Sequence, residues 1–206
     1  SSSSVYGMNK HQPFSTLDNT DYPVSLYAAT KKSNELIAHA YSHLFDIPIT
    51  GLRFFTVYGP NGRPDMAYFK FTEAIINNKP IDVYNYGKMK RDFTYIDDIV
   101  NSLILLIQKK PEKSSNIITN ATSRFNIYNI GNNKPITLKR FIKSIESALD
   151  KKAVINNLPM QAGDVPITYA NIDDLYNKIG FAPKTSIEKG MIKFIEWYKK
   201  TYNTNN

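Results

Sequence analysis

The stretch that decides the fold runs from Pro23 to Phe55 and reads PVSLYAATKKSNELIAHAYSHLFDIPITGLRFF. Up to Phe45, apolar side chains recur every three or four residues, which is typical of a long amphipathic helix. Pro48 interrupts that period, and the short run Ile49–Phe55 that follows is apolar and rich in β-forming residues. Such a run predicts a buried strand. The stretch therefore predicts a helix followed by a strand, the repeating pattern of an α/β protein.

The same alternation continues toward the C-terminus. Apolar spacing and turn residues predict helices near Tyr68–Asn77, Asp97–Gln108, Thr137–Leu149, Ile172–Lys178 and Ser186–Tyr202. Strands are predicted at Ile81–Tyr84, Asp92–Ile96, Phe125–Ile130 and Ala153–Asn156. Asp97 or Asp98 is expected to cap the helix that follows, because a carboxylate satisfies the free N–H groups of a first turn. The alternation indicates an α/β fold with a largely parallel sheet.

The composition is that of an ordinary folded protein. The chain has 206 residues, of which 42% are hydrophobic and 21% charged, which argues against a disordered or coiled-coil protein. No apolar run is long enough for a membrane helix and the N-terminus does not resemble a secretory signal, so a cytoplasmic protein is expected. The absence of cysteine excludes disulfides and thiolate chemistry. The net charge of +8 comes from scattered lysines, which argues against nucleic-acid binding.

Tyr27 and Lys31 carry the clearest chemical signal on the long helix. A spacing of four residues places the phenol and the ammonium group on one helical face. A phenol titrates near pH ~10 and is a poor base at neutral pH, but a cation within a few ångströms stabilises the phenolate. Tyr27 could then accept a proton from a sugar hydroxyl while a hydride leaves the same carbon. Taken alone, the pair is explained more simply as an amphipathic tyrosine beside a surface lysine.

Five further segments place this pair in context. They are Ser2–Gly7 (SSSVYG), Leu52–Pro60 (LRFFTVYGP), Arg91–Asp98 (RDFTYIDD), Tyr128–Gly131 (YNIG) and Ala162–Val165 (AGDV). In order and spacing, these segments resemble the extended short-chain dehydrogenase/reductase family of nucleotide-sugar epimerases and dehydratases. The resemblance covers essentially the whole chain. It implies NAD as the cofactor, a UDP-sugar as the substrate and, in the intact protein, a homodimer built on the helix that carries Tyr27 and Lys31 and on the next helix.

The resemblance also implies catalytic and cofactor-binding roles. Ser2 aligns with the catalytic serine or threonine of the family, Tyr27 with the base, and Lys31 with the residue that contacts the nicotinamide ribose. Three residues thus match cofactor-binding positions of the family: Tyr27, Lys31 and, in addition, Phe54. No metal site is implied.

The substrate-binding positions of the family match nine residues: Ser3, Ser4, Thr56, Arg63, Val83, Tyr84, Arg91, Gln161 and Asp164. Ser3, Ser4 and Thr56 match positions that line the pocket for the sugar and its carboxylate, and Arg63 lies close by. Val83 and Tyr84 match the positions where the uracil ring is expected. The arginine at 91 matches the one that clasps the diphosphate, a role that suits a bidentate guanidinium. The last two residues fall in the loop that closes over the nucleotide in relatives.

Three segments point to a narrower group within the family. They are Tyr58–Ala67, Lys79–Asn85 and Gly87–Asp92, and they resemble the epimerases that act at C4 of UDP-glucuronate. The dehydratases carry an Asp-Glu pair where this chain has Ser3 and Ser4, so elimination of water is disfavoured. The resemblance implies oxidation to a 4-keto sugar, rotation and re-reduction, from UDP-glucuronate to UDP-galacturonate. Alternatives are epimerisation of UDP-glucose or a UDP-N-acetylhexosamine, or nucleotide-sugar binding without turnover.

The family's dinucleotide site begins with a glycine-rich turn, and no G-x-G-x-x-G or G-x-x-G-x-x-G occurs in this sequence. We therefore expect the C-terminal part of a Rossmann-like doubly wound parallel sheet plus a small α/β substrate-binding lobe. Residues 1–60 are expected in the Rossmann-like part, and residues 61–206 mainly in the lobe, with about 92–130 returning to the sheet. Ser1–Ser4 and Ile49–Phe55 would be inner strands, so the chain by itself is expected to expose an apolar edge, to self-associate and to be inactive.

Two other patterns are assigned no chemistry. His39 and His43 have the spacing of a helical metal pair, but no third ligand accompanies them, so they are interpreted as surface histidines. The neighbouring carboxylates Asp97 and Asp98 are interpreted as helix caps rather than as an acid–base pair.

Overall fold

The computed structural model describes residues 1–115, 122–160 and 165–204. The helices are α1 (Leu26–Phe45), α2 (Ala67–Ile76), α3 (Ile96–Ile107), α4 (Leu138–Leu149), α5 (Asp173–Ile179) and α6 (Ile187–Tyr202). The strands are β1 (Ile49–Phe54), β2 (Thr56–Tyr58), β3 (Pro80–Tyr84), β4 (Lys90–Arg91), β5 (Phe93–Tyr95), β6 (Ser114–Ser115), β7 (Thr122–Ser123), β8 (Phe125–Ile130), β9 (Ile136–Thr137), β10 (Val154–Leu158) and β11 (Ile167–Thr168). Short 3-10 helices form at Ser3–Tyr6 and Asn85–Gly87.

The chain divides into two compact units, each assembled from three separate segments. Unit 1 contains Ser1–Phe55, Val100–Asn133 and Tyr169–Ala182. Unit 2 contains Thr56–Ile99, Lys134–Thr168 and Pro183–Asn206. The segment Tyr169–Ala182 thus belongs to unit 1, although the sequence assigned it to the second lobe, and residues 92–99 belong to unit 2.

Unit 1 is organised around the parallel pair β1 and β8, which run in register from Ile49 opposite Phe125 to Phe54 opposite Ile130. Helix α1 begins after Ser25, whose side chain accepts a hydrogen bond from the backbone N–H of Ala28 and so satisfies one free donor of the first turn. A small core of buried residues is formed by Val5, Tyr6, Phe14, Phe55, Ala170 and Ile172.

The serine run at the start of the chain is not a strand. Within Ser1–Ser4, Ser2 forms an isolated parallel bridge with Phe54, and the 3-10 helix begins at Ser3. The side chain of Ser2 accepts the backbone N–H of Ser4 and caps this short helix. Serine side chains compete with strand ladders in this way, so the prediction of an inner strand at Ser1–Ser4 is wrong.

Unit 2 combines parallel strand pairs with helices α2, α4 and α6. Strand β2 pairs with β5 and strand β3 with β10, both in parallel, while β4 lies between β11 (parallel) and β9 (antiparallel). Thr137 and Ser186 cap α4 and α6 through their side chains. The core of the unit is dominated by aromatic and β-branched residues, among them Tyr58, Phe93, Phe141, Phe194 and Ile195. The predicted α/β class with parallel pairing is confirmed.

Helix α3 starts at Ile96, so neither Asp97 nor Asp98 occupies the capping position that the sequence predicted. Asp98 is buried, and its carboxylate accepts hydrogen bonds from the backbone N–H groups of Lys184 (3.2 Å) and Thr185 (2.8 Å) ahead of α6. The carboxylate therefore joins two segments of unit 2. Of the helices in the described ranges, none is long and apolar enough to cross a membrane.

Candidate active site

Tyr27 and Lys31 lie in the first two turns of α1. The Tyr27 side chain is 56% exposed, and the Lys31 Nζ atom lies 5.3 Å from the centroid of its ring. Within the described part of the chain, the Lys31 ammonium forms no ion pair with a carboxylate, so its hydrogen atoms are available to a ligand. The two side chains share one face of the helix, on which Tyr27 is exposed.

The serine run contributes hydroxyl groups to unit 1. Ser2 lies opposite Phe54, the last residue of β1, and Ser3 starts the 3-10 helix. The Oγ atom of Ser4 is buried and finds no hydrogen-bond partner within the described ranges. A buried hydroxyl without a partner is costly, so Ser4 is suited to a ligand that supplies the missing hydrogen bond.

A buried ion pair ties α1 to β1. Glu35, which is 7% exposed, accepts two hydrogen bonds from Arg53, which is 3% exposed. The Nε atom of Arg53 donates to Oε1 and its Nη2 atom donates to Oε2, each at 2.9 Å. Glu35 Oε1 also accepts a hydrogen bond from the hydroxyl of Ser1 at 2.6 Å. One carboxylate thus holds the N-terminal segment, the helix and the strand together.

The guanidinium of Arg53 makes further contacts beyond Glu35. It donates to the Tyr6 hydroxyl at 3.0 Å and to the Thr20 hydroxyl at 3.4 Å, and it lies 4.9 Å from the Tyr6 ring centroid. The Tyr6 hydroxyl in turn donates to Asn129 Oδ1 at 2.6 Å. These bonds connect four separate segments of unit 1 through buried polar groups.

The network perturbs the titration of its members. Burial raises the pKa of Glu35, but hydrogen bonds from Arg53 and Ser1 outweigh burial and bring that pKa below its usual value. Burial raises the pKa of Tyr6, and the hydrogen bonds that it receives and donates oppose the rise without cancelling it. Glu35 is therefore charged, and Tyr6 neutral, in the folded protein at neutral pH.

Sequence reasoning did not single out this network. The available signal was Arg53, a charged residue inside an apolar strand, because a buried charge requires a partner. Glu35 lies outside the apolar stripe of α1, so the sequence pattern does not identify it as that partner.

A cavity of about 360 Å³ opens in unit 2. Strands β2, β3, β4 and β5 and helix α2 supply most of its lining, which is mainly apolar. The sequence-predicted residues Thr56, Tyr84 and Arg91 line it. Lining residues that the sequence did not single out include Met66, Lys70, Asp82 and Phe93. An apolar wall with cationic groups from Lys70 and Arg91 suits a flat ring that carries an anionic group.

Val83 does not line this cavity, unlike its neighbour Tyr84. Successive side chains of a strand point to opposite faces. On β3, Ile81 and Val83 are buried in the core of unit 2, while Asp82 and Tyr84 face the cavity. The sequence assigned Val83 and Tyr84 together to one ring-binding surface, and the structure gives only Tyr84 a side chain in the cavity.

Arg91 is held by backbone carbonyl groups. Its Nη1 atom donates to the carbonyl oxygens of Val165 (2.7 Å), Lys90 (3.0 Å) and Pro166 (3.4 Å). The guanidinium is thereby fixed at the cavity wall. These bonds hold the planar guanidinium in one orientation before any ligand arrives.

The remaining predicted site residues are placed differently. Arg63 is exposed, and its Nη2 atom lies 3.3 Å from Asp65 Oδ2, a residue of the cavity wall. Gln161 and Asp164 lie outside the described residues.

The two histidines of α1 make separate contacts. The His39 ring meets the Phe125 ring edge-on at 5.9 Å, and His43 Nδ1 lies 2.6 Å from the carbonyl oxygen of Thr122. Across the described ranges, no group of three or more His, Cys, Asp or Glu side chains is arranged to hold a metal ion.

Comparison with known proteins gives a family match. The model of the NAD dependent epimerase/dehydratase family matches residues 1–131. Among curated relatives, Protein CapI of Staphylococcus aureus is 56% identical over 209 residues, which cover 98% of this chain and 62% of the relative. A protein of Rhizobium meliloti named "Probable UDP-glucuronate 4-epimerase" is 49% identical, with 98% of this chain and 61% of the relative covered.

A solved structure matches the fold closely. UDP-glucuronic acid 4-epimerase from Bacillus cereus, in complex with UDP-glucuronic acid and NAD, superposes with a TM-score of 0.83 at 32% identity. The match covers 98% of this chain and 60% of that one. The chain thus spans about three fifths of the length of the proteins that it resembles.

Proposed function

The chain belongs to the NAD dependent epimerase/dehydratase family, and we propose that in its intact form the protein catalyses epimerisation at C4 of a UDP-sugar, with UDP-glucuronate and UDP-galacturonate as the pair. The observation that carries the proposal is the Tyr27–Lys31 pair on an exposed face of α1, in a chain whose relatives carry the name of that activity. The short distance between the Lys31 ammonium and the Tyr27 ring supports a role for Tyr27 in proton transfer.

In the proposed reaction, Tyr27 accepts the proton of the C4 hydroxyl group and later returns it. Ser2 holds the same oxygen by a hydrogen bond, and the Lys31 ammonium stabilises the negative charge on the phenolate oxygen. The sugar passes through a 4-keto state, which rotates so that the other face is reduced. Serine rather than acidic side chains at positions 3 and 4 leave no carboxyl group for elimination of water.

NAD is the cofactor that the proposal requires, and residues of unit 1 fit its nicotinamide end. When bound, NAD+ would accept the hydride from C4, and the NADH so formed would return it to the 4-keto sugar. The Lys31 ammonium, which forms no ion pair among the described residues, suits the hydroxyl groups of a ribose, and Phe54 lies at the end of β1 opposite Ser2. The sequence contains no glycine-rich pyrophosphate turn, so the assignment for this chain is confined to the nicotinamide end.

The cavity of unit 2 is proposed to take the UDP part. Tyr84 and the apolar lining suit the uracil ring, and the guanidinium of Arg91 suits the diphosphate. In unit 1, the serines at 3 and 4 are proposed to bind the sugar and its carboxylate, with the unpartnered hydroxyl of Ser4 as a donor to that anion. The sugar-binding role of Thr56, which lines the cavity of unit 2, stays a proposal from the family resemblance. Arg63, Val83, Gln161 and Asp164 stay proposals from the family resemblance.

A homodimer is part of the proposal. Helix α1 exposes apolar side chains at Leu36, Ile37, Tyr41 and Leu44, and the later part of α3 does so at Val100, Ile104 and Ile107. Exposed apolar stripes of this kind mark association surfaces, and burying them between two copies would remove them from water.

The experiment that tests the activity is conversion of a panel of UDP-sugars. The protein in its intact form is incubated with NAD+ and one UDP-sugar at a time, either UDP-glucuronate, UDP-glucose or UDP-N-acetylglucosamine, and the C4 epimers are resolved by NMR. We expect UDP-galacturonate from the first reaction and none from a Tyr27→Phe variant. Conversion of another sugar but not UDP-glucuronate overturns the proposed substrate. Calorimetric binding of UDP without turnover of any sugar favours a binding protein instead.

A further inference from the structure

We propose that Glu35 is a positioning residue, which fixes Tyr27 and Lys31 relative to Ser2 by locking α1 onto β1 and onto the N-terminal segment. The inference rests on the proposed function, because it concerns the residues to which that function assigns the chemistry. Glu35 itself has no place in the proton transfer.

The first step of the argument is the spacing along α1. Tyr27, Lys31 and Glu35 follow one another at intervals of four residues, so the three side chains form a row along one face. Burial increases along the row: Tyr27 is exposed, Lys31 is half-buried and Glu35 is almost fully buried. The row therefore has one anchored end and one free end, with about 6 Å of helix rise between successive members.

The second step concerns the anchor. Glu35 receives three hydrogen bonds, two from Arg53 on β1 and one from Ser1. A bidentate pair between a guanidinium and a carboxylate fixes both distance and orientation, so α1 cannot rotate or slide without breaking it. Ser1 directly precedes Ser2, the third proposed catalytic residue. The hydrogen bond from Ser1 to Glu35 therefore also restricts the position of Ser2.

The third step concerns the strand side of the anchor. Arg53 is fixed by Tyr6 and Thr20 as well as by Glu35, and Tyr6 is fixed by Asn129 on β8. Thr20 also accepts a hydrogen bond from Lys32 of α1 at 2.6 Å. The anchor is thus part of a connected polar network rather than an isolated pair. Such networks hold side chains in one arrangement when every member is satisfied.

Proton transfer between Tyr27 and the sugar hydroxyl tolerates only a small displacement of the reacting groups. A displacement of about 1 Å at a reacting group costs on the order of 100-fold in rate. Replacing Glu35 by glutamine keeps the volume but removes the charge and one acceptor oxygen, so the helix loses its two-point attachment. Tyr27 and Lys31 then move relative to Ser2, while the cavity of unit 2 keeps its lining.

The test compares Glu35→Gln with a matched control, Glu188→Gln, in the intact protein. Glu188 forms an exposed bidentate pair with Arg140 in unit 2 and lines neither site. The kcat and KM for UDP-glucuronate are measured well below the melting temperature of each variant. We expect kcat to fall about 10- to 100-fold in Glu35→Gln with KM changed less than twofold, and neither to change in the control.

A second readout does not depend on activity. In protein labelled at tyrosine and lysine side chains, NMR signals of Tyr27 and Lys31 are assigned through the Tyr27→Phe and Lys31→Met variants. We expect these signals to shift in Glu35→Gln, while UDP binding measured by calorimetry stays within twofold of wild type. Should Glu35→Gln not fold, Ser1→Ala removes one bond of the anchor and takes its place, with an expected two- to fivefold loss of kcat.

The outcomes separate the two proposals. Unchanged Tyr27 and Lys31 signals, or an unchanged kcat per folded molecule, overturn the positioning role. A parallel loss of kcat and of UDP affinity also overturns it, since that pattern indicates general loss of structure. If the intact wild-type protein converts no UDP-sugar, the proposed function fails, and the NMR comparison still decides whether Glu35 sets the geometry of the Tyr27–Lys31 pair.

Discussion

Glu35 on α1 and Arg53 on β1 form a bidentate ion pair in the interior of unit 1, with both N–O distances at 2.9 Å. The two side chains are 18 residues apart in the sequence and almost fully buried. The pair joins the helix that carries Tyr27 and Lys31 to the strand whose last residue faces Ser2.

Replacing Arg53 by methionine is expected to destabilise the protein strongly. The substitution leaves the Glu35 carboxylate buried without its cation, and breaking a buried pair in this way costs about 3–5 kcal/mol. Urea unfolding followed by circular dichroism measures the change in the free energy of unfolding. The exposed Arg140–Glu188 pair gives the control, since Arg140→Met is expected to cost at most about 1 kcal/mol. Equal losses in the two variants contradict the prediction.

The same pair predicts a dependence of stability on acid. The folded state lowers the pKa of Glu35 below its unfolded value, so ionised Glu35 contributes stability at every pH above the unfolded value, near 4.5. That contribution is lost as the pH falls from this value through the lower, folded one. Thermal melts of wild type and Glu35→Gln are compared from pH 7 to pH 3. The difference in melting temperature is expected to shrink on acidification, and a constant difference is evidence against the assignment.

Arg91 is expected to dominate the affinity for UDP. Charge-assisted hydrogen bonds contribute about 1.5–3 kcal/mol, so Arg91→Gln is expected to weaken UDP binding about 10- to 100-fold. Arg91→Lys keeps the charge without the planar fork and is expected to fall between wild type and Arg91→Gln. Titration calorimetry with UDP gives the constants, and Arg140→Gln serves as a control for loss of a surface cation. If Arg91→Gln binds UDP with the affinity of the wild-type protein, Arg91 is not part of the UDP-binding site.

Gly190 is expected to tolerate no side chain despite its place inside α6. In a helix interior, alanine is ordinarily more stable than glycine by about 1 kcal/mol. Here an added Cβ atom would overlap the hydroxyl group of Tyr58, whose ring is 1% exposed in the core of unit 2. Gly190→Ala is therefore expected to lower the melting temperature. Adding Tyr58→Phe is expected to restore part of the loss, and a stabilising effect of Gly190→Ala alone contradicts this packing.

Much of the fold follows from local sequence patterns. The three-to-four-residue period of residues 26–45 predicted α1, and the helix starts predicted at Thr137 and Ser186 coincide with the caps of α4 and α6. Each of these signals acts within one or two helical turns, which is the range over which a sequence pattern is read directly.

The errors arise where a tertiary or competing local interaction decides. At Ser1–Ser4, side-chain hydrogen bonding to the backbone outcompetes the strand ladder. At Asp98, a carboxylate that fits a helix cap instead binds the backbone N–H groups of Lys184 and Thr185. The Glu35–Arg53 pair depends on α1 packing against β1, so it becomes visible only in the folded chain.

Neighbouring side chains on β3 point in opposite directions and are therefore constrained by different surroundings. Packing in the core of unit 2 constrains Ile81 and Val83, whereas the ligand of the cavity constrains Asp82 and Tyr84. A single five-residue strand can therefore accumulate substitutions at its even-numbered positions and acquire a new ligand preference while its odd-numbered positions keep the fold intact.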